Sequence, residues 1–71
     1  MDILDAYARA RDLGGDVAEA EHKGEPLPIP RAPSADELWR AVMGDVSRAD
    51  YPTNTLRQIR AEFERGYSMY W

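Results

Sequence analysis

The chain has 71 residues, a net charge of -4, no cysteine and a single histidine, His22. These numbers exclude disulfides and thiolate metal sites, and one imidazole cannot build a zinc site unaided. The acidic balance disfavours nonspecific binding to nucleic acid or to an anionic membrane, and no run of about 18 apolar residues is present to cross a bilayer.

A chain of this length forms one domain and buries only about 60% of its unfolded surface, so self-association or docking on a partner is the simplest source of extra stability. The expected organisation is all-α. An acidic helical arm over 1–24 is followed by a proline-rich connector over 25–33, then a helical hairpin with an aromatic tail over 34–71.

Residues 2–23 carry helical periodicity. Ile3, Ala6, Tyr7, Ala10, Leu13, Gly14, Val17 and Ala20 recur at spacings of three, four and one, which makes one apolar stripe. Gly14-Gly15 interrupts it and would cost roughly 2 kcal/mol relative to alanine in a helix interior. The apolar phase is the same on both sides of the pair, which favours one long helix. Two short helices, with Asp16 capping the second, are the alternative. Ala6, Ala10, Gly14 and Ala18 repeat every fourth residue, a shallow ridge over which another helix can approach.

The charge of the whole chain belongs to this segment. Residues 1–25 hold Asp2, Asp5, Asp12, Asp16, Glu19, Glu21 and Glu25 against Arg9, Arg11 and Lys23, whereas residues 26–71 are neutral. On an unbroken helix, Asp2, Asp5, Asp12, Asp16 and Glu19 line the face opposite the apolar stripe, with neighbours about 5–6 Å apart. Arg9 and Lys23 interrupt the row.

Gly24 ends the segment. Pro26, Pro28, Pro30 and Pro33 then remove donors and forbid helix, so the connector is extended and semi-rigid, with Leu27 and Ile29 against the helices. Pro30-Arg31-Ala32-Pro33 formally matches a P-x-x-P ligand, but a stiff linker accounts for it.

Ser34-Ala35-Asp36-Glu37 is a capping box and starts a helix expected over about 35–47, with Leu38, Trp39, Val42, Met43 and Val46 on its apolar face. Residues 49–53 form a turn. Asn54 or Thr55 starts a further helix, with Leu56, Ile59 and Phe63 on one face and a stop at Gly66. Tyr67, Tyr70 and Trp71 crowd the tail, where Tyr and Trp suit either a core or an interface.

No catalytic residue, cofactor or metal site is implied. His22 lies among charged neighbours, no phosphate-cradling loop follows a strand, and no segment offers a buried carboxylate pair. The function expected is therefore protein binding. Its sharpest form is a small acidic inhibitor that covers a basic nucleic-acid-binding surface on a larger protein or nucleoprotein complex, an analogy of size and charge with phage-encoded antagonists of host defence. The candidate partner-binding residues are Asp5, Asp12, Asp16, Glu19, Tyr70 and Trp71. Two other readings stand beside it: an accessory or assembly subunit docked through the apolar stripe and tail, and a helix-turn-helix regulator carrying Arg57, Arg60 and Arg65. The Met-Asp-Ile-Leu-Asp start has no signal-peptide pattern, which fits a cytoplasmic protein.

Overall fold

The computed structural model describes residues 2–70. Along them run α1 (Ile3–Lys23), α2 (Ala35–Met43), a 3-10 turn (Arg48–Asp50) and α3 (Asn54–Tyr70), with no strand among the described residues. The chain is thus all-helical, with a long N-terminal helix, a connector and a C-terminal helical hairpin. It measures 37 × 19 × 17 Å, and the long dimension is set by α1, whose 21 residues span about 32 Å.

α1 and α2 each start on a side-chain cap. The Asp2 carboxylate accepts from the Leu4 N–H at 3.3 Å. At α2 both halves of the capping box form: the Glu37 N–H donates to Ser34 Oγ at 3.1 Å, and the Ser34 N–H donates to Glu37 Oε1 at 2.8 Å. The same bonds hold the Glu37 carboxyl below its ordinary pKa, because they favour the ionised form. α1 stops at Gly24, whose φ of +71° is left-handed and lets the Gly24 and Glu25 N–H groups return to the last carbonyls of the helix.

α1 is one helix and passes straight through Gly14-Gly15. The reason lies in α3. A Cβ at Gly14 would sit 2.0 Å from the Phe63 carbonyl oxygen, and a Cβ at Gly66 would sit 1.9 Å from the Arg11 carbonyl oxygen. The two helices cross backbone against backbone, each lending a glycine to the other. The expected stop at Gly66 is accordingly corrected: α3 continues through it to Tyr70, with Gly66 buried one turn before the end. A glycine read locally as a terminator serves a tertiary contact instead. Ala6, Ala10 and Ala18, all fully buried, continue the small-residue ridge on either side.

α2 closes one end of this pair. Leu38, Trp39, Val42 and Met43 bury against Val17, Ile59 and Phe63 in one core. α2 is shorter than expected: it ends at Met43, because Gly44 turns to φ +73°. Val46 therefore lies outside the helix, half-buried, and its carbonyl accepts from the Trp39 indole N–H at 2.6 Å. Tyr51 meets the Trp39 ring edge-to-face, 5.6 Å between centroids. Trp39 thereby pins the 3-10 turn to α2.

The connector divides its apolar residues. Ile29 and Pro33 are buried, whereas Leu27, expected against the helices, is exposed. Arg31 fastens the connector to α3. Its guanidinium stacks 3.7 Å above the Tyr67 ring and reaches both Glu64 carboxylate oxygens at 3.3 Å. The second proline of the P-x-x-P stretch is thus packed into the fold. Among the described residues no helix is long and apolar enough to cross a membrane.

Candidate partner-binding groove

Because α1 is unbroken, the acidic row is real as a surface. Asp2, Asp5, Asp12 and Asp16 are exposed and Glu19 is half-buried. Their roles differ. Asp2 caps its helix, and Glu19 pairs with Lys23 at 3.3 Å. Asp5, Asp12 and Asp16 make no hydrogen bond or ion pair among the described residues. Most acids elsewhere are committed to the fold. Glu21 accepts from the Tyr67 hydroxyl, Glu37 caps α2, Asp36 pairs with Arg48 at 3.0 Å, and Glu64 holds Arg31.

Glu62 is the most committed. Its side chain is only 7% exposed. One carboxylate oxygen accepts from Arg11 Nε at 3.1 Å and Nη2 at 2.9 Å, and the other accepts from Gln58 at 3.1 Å. The Arg11 bonds hold the Glu62 carboxyl below its ordinary pKa, against the opposing effect of burial.

Where α1 crosses the last turns of α3, an open groove of about 510 Å³ forms. Its floor is Gly15 and Gly66, its walls carry Met69 and Tyr70, and Asp12, Asp16 and Glu19 stand on the α1 side. Met69 is 71% exposed and Tyr70 41%. His22 meets the Tyr70 ring edge-to-face at 6.0 Å. Arg11 also lines the groove, with its guanidinium held by Glu62. Four of the six residues expected to bind a partner, Asp12, Asp16, Glu19 and Tyr70, therefore share one concave surface, although the sequence placed them at opposite ends of the chain. Asp5 lies on the same helix face but outside the groove, two turns before Asp12. Trp71 lies outside the described residues.

Met69, Gly15 and Gly66 complete the site and carry no sequence motif. The recoverable signal was the small-residue ridge on α1 matched by a lone glycine in α3. Tyr67, from the same aromatic tail, packs half-buried against the core.

Two further surfaces are smaller. One, of about 300 Å³, is lined by Trp39, Arg48, Ala49, Pro52, Thr53 and Leu56. The other lies beside Asp36 and Arg40. Among the described residues no three His, Cys, Asp or Glu side chains gather as a metal site. Between α2 and α3 lie residues 44–53, a longer joint than the three or four residues usual in a helix-turn-helix. Comparison with protein-family models, with curated proteins and with solved structures finds no match.

Proposed function

We propose that this chain is a non-enzymatic, stoichiometric protein-binding module whose partner presents a basic surface, in the sharpest form an inhibitor that occupies a nucleic-acid-binding site on a larger protein or nucleoprotein complex. The observation that carries this is the row of carboxylates on α1, of which Asp5, Asp12 and Asp16 have no duty within the fold. Uncommitted like charges on one face repel one another, and a cationic surface relieves that repulsion while steering association. The spacing of about 5–6 Å between residues three or four apart on this face, as from Asp12 to Asp16 and on to Glu19, is close to that of phosphates along a strand.

The test begins with affinity capture from the native host and identification by mass spectrometry. The binding constant of the captured partner is then measured for the wild-type chain and for Asp12→Lys with Asp16→Lys, at low and high salt. A loss of at least about tenfold in the variant, and a steep fall with salt in the wild type, is expected of surface charge pairing. Unchanged affinity of the variant at low salt would eliminate the electrostatic mode.

The second reading, an accessory subunit held by apolar contact, draws on the exposure of Met69 and Tyr70 beside the acids. Salt separates the two, since an apolar dock is insensitive to screening.

A further inference from the structure

Gly14 and Gly15 are neighbours in α1, and the packing requires only the first. A Cβ at Gly14 would strike the α3 backbone at 2.0 Å, whereas a Cβ at Gly15 would lie 3.8 Å from the Gly66 carbonyl oxygen, an ordinary contact. Gly15 also keeps a negative φ, so nothing in its backbone calls for glycine. Alanine there would fit and would favour the helix. The fold bears an unfavourable residue at the floor of the groove that Asp12, Asp16 and Glu19 border.

We propose that this groove seats one apolar side chain of a basic amphipathic helix, whose flanking Lys or Arg side chains meet Asp12, Asp16 and Glu19. The inference rests on the proposed function and specifies the form of the partner. A missing side chain at Gly15 lets another backbone come close, the usual use of glycine at a contact between helices. Met69 and Tyr70 offer apolar walls, one flexible and one with a polar tip. Asp12, Asp16 and Glu19 follow at spacings of four and three, the spacing at which a helix lying alongside presents its own cations. Arg11, the cation that lines the groove, is bonded to Glu62, and Glu19 is shared with Lys23, so Asp12 and Asp16 keep the rim anionic. Nucleic acid and anionic lipid are repelled by the same rim.

Two fluorescein-labelled synthetic helical peptides with the same number of lysines test the idea. One carries leucine at the central apolar position, and the other carries serine there. Fluorescence anisotropy with the full chain should give about tenfold tighter binding of the leucine peptide, the return expected from burying one such side chain. That advantage should vanish in Gly15→Gln, which fills the floor, while residual binding of both peptides persists through the acids. Asp12→Lys with Asp16→Lys should weaken both peptides. In nitrogen–proton correlation spectra the Gly15 and Gly66 amides should shift with the leucine peptide alone. Gly15→Ala, the smaller change, should raise the melting midpoint by roughly 4–8 °C, as a better helix former in so small a chain does.

Equal affinity of the two peptides, or an anchor advantage that survives Gly15→Gln, would overturn the groove while leaving the acidic face in place. Binding of neither peptide would count against both. A lower melting midpoint for Gly15→Ala would remove the premise that the fold does not need this glycine.

Discussion

The α1–α3 crossing and the α2 end of the molecule hold together by opposite means. At the crossing there is almost no side chain: Gly14 and Gly66 let each helix rest on the other's carbonyls, and Ala6, Ala10 and Ala18 extend the contact. At the α2 end the space is filled by large groups, with Leu38, Val42, Ile59 and Phe63 all fully buried and Trp39 only 5% exposed. Close packing makes both sensitive to volume, but in opposite senses. Added atoms break the crossing, and removed atoms break the α2 end.

The largest effect should come from adding a single methyl group at the crossing. Gly66→Ala places a carbon 1.9 Å from the Arg11 carbonyl, and backbone cannot step aside as a side chain can. Destabilisation beyond about 3 kcal/mol, above the usual range for overpacking, is expected. In a domain this small that leaves little folded population at room temperature. Circular dichroism on heating reads it, and a variant that melts like the wild type would show that the helices do not cross at Gly66. At the other end, Leu38→Ala opens a cavity and should cost about 3 kcal/mol. Exchange of Leu38 for Met, similar in volume, should recover most of that loss.

The crossing also carries the polar clamp of Arg11 on Glu62, and that gives it a pH dependence of its own beside that of the Glu37 cap on α2. The folded-state pKa of Glu62 lies below its unfolded value of about 4.3. Its contribution is therefore fully present above that value and is lost as pH falls through the depressed folded pKa. Melting midpoints should decline below about pH 4.3, and Glu62→Gln should flatten that decline while costing about 2 kcal/mol at neutral pH, since charged hydrogen bonds are lost. A decline of equal steepness in the variant would assign the acid sensitivity elsewhere. The smallest effect is Ser34→Ala at the start of α2. One exposed cap is worth about 1 kcal/mol, and a loss of helicity confined to α2 in amide exchange would identify it.

The same contrast explains what the sequence could tell. The capping box at Ser34 was legible because donor and acceptor lie three residues apart, and the helix over 2–23 was legible because periodicity carries across a glycine pair. Gly66, Gly44 and Val46 were misjudged for related reasons. Local rules make any glycine after an apolar run a stop; at Gly44 that stop came earlier than the periodicity of α2 suggested, and at Gly66 a contact with Arg11, 55 positions away, overrode it. The acids of the candidate site were legible from charge and phase. Their meeting with Met69 and Tyr70 was not, because it depends on which helix pairs with which, and no periodicity encodes that.

The pairing has a consequence for biosynthesis. The ribosome completes α1 well before α3 exists, and the bond from Arg11 to Glu62 joins residues 51 apart. Until α3 emerges, α1 is an isolated amphipathic segment with a largely alanine and glycine seam and little apolar area to collapse around. Contacts of such long sequence separation form late, because loop closure precedes their reward. The nascent chain therefore offers its carboxylate row to the cell before it has a groove. The carboxylate row and the groove become one surface only when the last turns of α3 have closed over Gly14.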